Sequence, residues 1–125
     1  MTKSRGGGFT LTELLIVIAI VGALAAVLVP NLLQARHAAQ DRATQAYVYQ
    51  VVQGVEAKRD SVGQRIPVAA ACNTFAALIT DPKSSVQRCK YEPDASTETY
   101  RVTAESYSGK VFHFNGEEIV VANSY

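Results

Sequence analysis

One apolar run near the amino terminus constrains this sequence more than any other feature. From Leu14 to Val29 every residue is apolar or glycine. As an α-helix, the interval 9–33 would extend roughly 37 Å, and it could therefore cross the roughly 30 Å hydrocarbon core of a bilayer. A chain of 125 residues has room for one small domain beside such a helix. We therefore expect a membrane helix followed by a single compact domain.

A short basic leader precedes this helix, and a single acid lies within it. Residues 1–8 contain Lys3 and Arg5 and no acid, and an excess of positive charge before an apolar run predicts that the leader stays in the cytoplasm. Between residues 9 and 33 the only charged side chain is Glu13. A carboxylate at mid-membrane costs roughly 2.5–3.5 kcal/mol, and less near the surface, so an acid in a membrane helix suggests a function. Glu13 is therefore the first candidate functional residue.

A cleavable secretory signal would share part of this pattern. Ala23-Leu24-Ala25 fits the small-residue cleavage site of such signals. The apolar run, however, continues past Ala25 without a polar break until Asn31. An ordinary signal also has no reason to place Gly-Phe-Thr-Leu-Thr-Glu, residues 8–13, at the entry to its apolar region. Both features favour a signal whose apolar helix is retained.

The junction from Gly8 to Glu13 resembles the class III signal of type IV pilins and pseudopilins, and this resemblance is strong over residues 5–36. In that family a membrane peptidase cuts after the last leader glycine and methylates the new amino terminus. The resemblance therefore implies processing between Gly8 and Phe9 and N-methylation of Phe9. It also implies three kinds of partner, namely other pilin subunits, a prepilin peptidase and an inner-membrane assembly platform.

The resemblance also suggests a partner for Glu13. In the family the mature subunits polymerise through their apolar helices, and the carboxylate pairs with the amine of a neighbouring subunit, here that of Phe9. This pairing would neutralise both charges and set the stagger between helices. The alternative is that Glu13 lies at headgroup level, solvated and without a role in assembly. The precursor is expected in the inner membrane with its leader in the cytoplasm, and the filament is expected to be extracellular or periplasmic.

Helical periodicity continues beyond the apolar run. Four valines at 48, 51, 52 and 55 have the spacing of one helix face. They predict one long helix from about Phe9 to about Arg59, with an apolar half and an amphipathic half. The apolar half is interrupted by Gly22 and Pro30. Proline removes an amide donor and clashes with the carbonyl four residues earlier, so these two positions predict a bend. The alternative is a helix that ends at Pro30, followed by a second helix capped by Asn31.

Alternation near the carboxyl end predicts an antiparallel meander. A three-residue loop at 107–109, with Gly109 in the left-handed conformation, would place Val102 beside Phe114 and Ala104 beside Phe112. The apolar faces of the strands then agree.

The dipeptide Asn115-Gly116 is a strong hairpin signal. A two-residue turn there predicts that Phe112 pairs with Ile119 and that His113 pairs with Glu118.

Together these elements predict an α+β fold, in which a long amino-terminal helix packs through its valines against an antiparallel meander of three to four strands. The resemblance to pilins implies the same architecture. We divide the chain into a leader (1–8), a transmembrane and polymerisation helix (9–30), an amphipathic spine (31–60) and a globular head (61–125). A short helix is expected over residues 73–80, because Asn73 is a capping residue and Asp81-Pro82 follows.

The two cysteines, Cys72 and Cys89, predict one disulfide, because both follow the membrane helix in a small exported domain. The bridge would close a loop of about eighteen residues and contribute roughly 3 kcal/mol. The alternatives are metal binding and thiol catalysis. They would need either further metal ligands or two cysteines at the Cys-x-x-Cys spacing, and neither is present. Many pilins tie a region near the carboxyl terminus to the sheet, whereas here Cys89 is expected before the first strand, in the connection from helix to sheet.

Other polar residues give weaker signals. His37 and Asp41 stand four apart and are expected to form a solvated pair. Asp81, Asp94 and Glu98 could be calcium ligands, as in the major pseudopilins, but their spacing matches no dedicated loop and favours solvated acids. We therefore predict no metal site and no cofactor.

The sequence contains no pattern of residues that indicates catalysis. Its two histidines lie on different predicted elements, and neither a nucleophile motif nor a phosphate-binding glycine loop is present. A net charge of +1 gives no indication of nucleic-acid binding and leaves only a local patch as a route to it. We expect a non-enzymatic subunit of a type IV pilus that serves motility, adhesion or DNA uptake. The alternatives are a pseudopilin of a secretion or competence system, and a single-pass membrane protein that presents a binding domain without polymerising.

Overall fold

The computed structural model describes residues 8–59, 65–68, 70–76, 85–122 and 124–125. Two compact units can be distinguished, one that ends at Ala35 and one that begins at Arg36. Helix α1, Leu11–Ala57, contributes to both units. The second unit also contains a short 3-10 helix and four strands: Cys72–Thr74, then β1 (Val86–Asp94), β2 (Thr99–Ser106), β3 (Val111–Phe114) and β4 (Ile119–Ala122).

Helix α1 includes Pro30 without ending there. The alternative of two separate helices is therefore wrong. Asn31 does not cap a second helix, because its side-chain amide donates to the carbonyl of Val27, one turn earlier, at 3.1 Å. The bend predicted at Gly22 and Pro30 stays a prediction.

The strands form one antiparallel sheet in the order β1-β2-β3-β4. The register predicted between β2 and β3 is confirmed, because Val102 lies opposite Phe114 and Ala104 lies opposite Phe112. The connecting loop has the predicted three residues: the amide of Ser106 donates to the carbonyl of Lys110 at 2.8 Å, and Gly109 has a φ of +90°.

The register predicted for the last hairpin is wrong by two residues. Phe112 pairs with Val121 and His113 pairs with Val120, because the connection spans residues 115–118. The side chain of Asn115 accepts the amides of Glu117 and Glu118, each at 3.0 Å, and this favours the wider loop over a two-residue turn. A shift of two leaves each side chain on its predicted face, since the period of a strand is two.

Strand β1 corrects the expectation that Cys89 precedes the sheet. Cys89 lies within β1, opposite Ala104 of β2. The disulfide therefore joins the 3-10 helix to an edge strand, rather than closing a loop outside the sheet. In the described part of the interval 73–80, where a short helix is expected, the structure has a 3-10 turn, Cys72–Thr74. Residues 77–80, and Asp81-Pro82 after them, lie outside the described part of the chain.

The core of the second unit lies between the amphipathic part of α1 and the sheet. The valines Val48, Val51 and Val55 are fully buried, and Val52 packs against the same cluster. The sheet contributes its inward-facing side chains, among them Tyr91, Tyr100, Val102, Ala104, Phe112 and Phe114. The predicted α+β fold, a long helix on an antiparallel meander, is thus confirmed.

An aromatic row connects the sheet to the segment that precedes it. Ring centroids are 4.9 Å apart for Phe75 and Tyr91, 5.8 Å for Tyr91 and Tyr100, and 5.6 Å for Tyr100 and Phe114. These separations lie within the range at which aromatic pairs attract each other. The Tyr100 hydroxyl donates to Glu56 on α1 at 2.8 Å, so burial and this hydrogen bond both raise the pKa of Tyr100.

Candidate assembly site

The predicted processing junction lies immediately before α1. Gly8, Phe9 and Thr10 are outside the helix and exposed, and Phe9 is 84% exposed. The two described residues that flank the predicted cleavage bond, Gly8 and Phe9, are therefore accessible from solvent. The remainder of the leader lies outside the described residues.

Thr10 and Glu13 form a reciprocal cap at the start of α1. The backbone amide and hydroxyl of Thr10 donate to Glu13 Oε2 at 2.9 and 2.8 Å, and the Glu13 amide donates to the Thr10 hydroxyl at 3.2 Å. This is a capping box, which satisfies amides that have no partner within the helix. Sequence reasoning assigned no role to Thr10, although Thr-x-x-Glu before an apolar run is the signature of this cap.

The side chains in the apolar part of α1 are exposed to solvent. The large apolar side chains between residues 9 and 33 are each 50–84% exposed. By length and composition this helix could cross a membrane. Gly22 has no atom within 4 Å of the position that a Cβ would occupy. Contiguous exposed apolar surface of this extent marks a membrane or protein interaction site.

At the start of the second unit, Asp41 is held by the loop between β2 and β3. Lys110 Nζ lies 2.8 Å from Asp41 Oδ2, and the Ser108 hydroxyl donates to Oδ1. The solvated pair expected between His37 and Asp41 is therefore wrong, because the sheet supplies the partners of Asp41. Burial raises the pKa of Asp41, but hydrogen bonds from Lys110, Ser108 and Ser106, with the Lys110 charge, outweigh burial and hold it below its ordinary value.

The predicted disulfide is present between Cys72 and Cys89, whose Cα atoms are 6.1 Å apart. It holds the segment with Phe75 and Ala76, which are both buried, against edge strand β1. At a sequence separation of 17, the closed loop corresponds to about 3 kcal/mol of stabilisation in the chain-entropy account. The bridge therefore helps to hold together a head with a small core.

The acids considered as calcium ligands have other partners. Asp94 Oδ1 accepts the amide and hydroxyl of Ser96, which lower the pKa of Asp94. Glu98 accepts the amide of Ile66 at 3.1 Å, and Asp81 lies outside the described residues. Over residues 8–59 and the other described segments, no group of three or more metal-ligating side chains is present.

A Gly-Phe-Thr-Leu-Thr-Glu junction, an uncovered apolar helix and a head in which the same helix packs on an antiparallel meander together define the class of type IV pilins. The chain belongs to the Pilin A4 family, whose model matches residues 40–122. The model of the prokaryotic N-terminal methylation motif matches residues 3–29.

Two proteins of Thermus thermophilus are similar to this chain. One is the type IV wide pilus major component PilA4, which is 62% identical over 45 residues, or 36% of this chain and 34% of that protein. The match thus spans about a third of the relative's length. The other is a type IV pilin of solved structure, with a TM-score of 0.54 and 29% identity over 66% of this chain and 97% of the solved chain.

Proposed function

We propose that this chain is a structural subunit of a type IV pilus. It is cleaved after Gly8 by a prepilin peptidase, methylated at Phe9 and held in the inner membrane by residues 9–30 until an assembly platform transfers it to the filament. The observation that carries the proposal is the continuous apolar surface of α1 between residues 9 and 33, each of whose large apolar side chains is at least half exposed. Such a surface is stable in lipid, and equally in a bundle of similar helices.

In a bundle of helices from several subunits, the Glu13 carboxylate can pair with a group of a neighbouring subunit, which lipid does not provide. Both hydrogen bonds from Thr10 go to Oε2, so Oε1 is available to a further donor. In the mature filament we assign that donor to the amine of Phe9 in a neighbouring subunit. Charge neutralisation in an apolar environment then favours the polymer over the isolated membrane helix, because an unpaired buried carboxylate is costly.

A pilus role is favoured over a secretion pseudopilin by the similarity to a wide pilus major component. Deleting the gene and imaging the cells by electron microscopy tests the choice directly. Loss of surface filaments, restored by the wild-type gene, is expected. Unchanged filaments together with a defect in secretion or transformation would instead identify a pseudopilin.

Motility, adhesion and DNA uptake are separate uses of the same filament. We propose that the filament serves one or more of them, with twitching, surface attachment and transformation assays on the deletion strain as the measurements. The proposed subunit role needs no cofactor and no catalytic residue.

A further inference from the structure

An open groove lies between α1 and edge strand β4 in the second unit. We call its apolar lining residues the floor, namely Ala38 from the helix and Phe112 and Val121 from the sheet. Its polar lining residues, which we call the rim, are Asp41, Arg42, Gln45 and Lys110. Val121 is 64% exposed although it lies beside the buried Phe112. The rim has two cations and one acid, so an apolar floor with a net positive rim fits a ligand that combines apolar and acidic groups.

The two cations of the rim differ in their availability. Lys110 is paired with Asp41 across 2.8 Å. Arg42 is exposed, and within the described segments it takes part in none of the ion pairs. Arg42 is therefore the charge that a ligand in the groove would neutralise.

The loop between β3 and β4 carries the complementary charge. Glu117 and Glu118 are adjacent and exposed. Their backbone amides are fixed by Asn115, whereas their carboxylates form no ion pair with any residue that the structure describes. The loop therefore presents two free carboxylates from a defined backbone, followed directly by the apolar residues of β4.

The loop and the groove lie at opposite ends of the same edge strand. β4 begins one residue after Glu118, and Val121 of the groove follows within the strand. At about 3.3 Å per residue, Glu118 and Val121 are separated by roughly 10 Å along the strand, so the loop does not fill its own groove. A second copy that lies beside the first and is offset along β4 by a similar distance would bring its loop to this groove. Contact between two different surfaces of identical subunits is heterologous and extends into an open polymer.

We infer that loop 115–118 of one subunit docks in the α1–β4 groove of the next. The carboxylates of Glu117 and Glu118 face Arg42, and the exposed Val120 of the incoming subunit covers the apolar floor beside Val121. The inference rests on the proposed function, because the filament supplies the second copy. It adds a contact between heads to the contact between apolar helices.

Charge reversal on each side tests this contact in the full-length protein. Glu117→Lys with Glu118→Lys, and separately Arg42→Glu, should each lower the yield of sheared filaments about five-fold, since each replaces attraction by repulsion in every repeat. Combining the loop and groove substitutions should restore the yield to within about two-fold of wild type, because the charges again oppose each other. Arg65→Glu is the matched control: Arg65 is exposed and lies on another segment, so normal yield is expected.

Membrane content and disulfide formation of each variant report whether the head still folds. If wild-type filaments form and the reversals leave the yield unchanged, the head contact is wrong while the pilus role stands. A loss that the combined variant does not restore, or an equal loss in Arg65→Glu, also overturns the contact. Absence of wild-type filaments from the cell surface would instead contradict the proposed function itself.

Discussion

The two oxygens of the Glu13 carboxylate have different surroundings. Thr10 donates to Oε2 through its amide and its hydroxyl, which anchors the side chain at the first turn of α1. The partner proposed for Oε1 is the Phe9 amine of another subunit. A carboxylate has acceptor positions for both. Capping within the subunit would then orient the acid for pairing between subunits.

Glutamine at position 13 separates these two roles. A capping box accepts glutamine as well as glutamate, so Glu13→Gln should retain the helix start and membrane insertion but remove the charge that attracts an amine. We expect filament yield to fall at least about ten-fold, equivalent to about 1.4 kcal/mol per contact. Thr10→Val is the converse control, because it keeps the charge and removes the hydroxyl. Normal filament yield from Glu13→Gln would remove the carboxylate charge from the mechanism.

Asp41 should make the stability of the head dependent on pH. Its pKa is lowered in the folded protein, so its contribution is present above the unfolded value of about 3.9 and is lost as pH falls through the lower folded value. Asp41→Asn should cost about 1–3 kcal/mol at pH 7, because it removes the ion pair with Lys110 and one of the two acceptor oxygens of a buried charged group. It should also reduce the acid-induced loss of stability.

Thermal unfolding of the full chain in detergent, followed by circular dichroism from pH 7 to pH 2, measures both effects of Asp41→Asn. His37→Ala is the control, because His37 is exposed and does not pair with Asp41. If His37→Ala destabilised the head as much as Asp41→Asn, the Lys110 and Ser108 contacts would not be the source of the effect.

Among the secondary-structure elements, periodicity predicted those with one buried face and failed where an edge strand is irregular. The valines of α1 and the alternation in β2 and β3 were sufficient to place helix and sheet. Strand β1 was missed because its register shifts between Val86 and Arg88 and because it contains Pro93. Proline is tolerated on an edge strand. The alternation of Cys89 and Tyr91 with charged neighbours was nevertheless a usable signal.

The polar contacts were less predictable than the faces of the elements. The partners of Asp41 come from a loop 67 residues away along the chain, and no local spacing encodes such a contact. The cap of Thr10 and Glu13 is local, and its sequence signature was available. The cap could therefore be read from the sequence, whereas the partners of Asp41 within the head required the fold.

Gly54 marks the closest approach between α1 and the segment that the disulfide holds. A Cβ at Gly54 would lie 2.0 Å from the backbone oxygen of Phe75. This distance is far shorter than a van der Waals contact. We expect Gly54→Ala to destabilise the head by at least about 2 kcal/mol, because the segment must shift and the core must open. Gly22→Ala is the control, since nothing lies within 4 Å of its added methyl. Equal unfolding temperatures for the two variants would contradict the tight packing at Gly54.

The two units of the chain have different solvent requirements. The unit that begins at Arg36 buries its own apolar core beneath a sheet. In the unit that ends at Ala35, the apolar side chains remain exposed, so it requires lipid or other helices. A subunit stored in a membrane and then transferred into a polymer satisfies both requirements. Membership of the Pilin A4 family agrees with that life cycle.

We propose that the chain is processed at the Gly8–Phe9 bond and then built into a filament. Mass spectrometry of the amino-terminal peptide from sheared surface filaments tests both parts at once. We predict a peptide that begins at Phe9 and carries one N-methyl group. A mature chain that begins at Ala26 would contradict processing at Gly8–Phe9, and filaments that lack this chain would contradict its role as a pilus subunit.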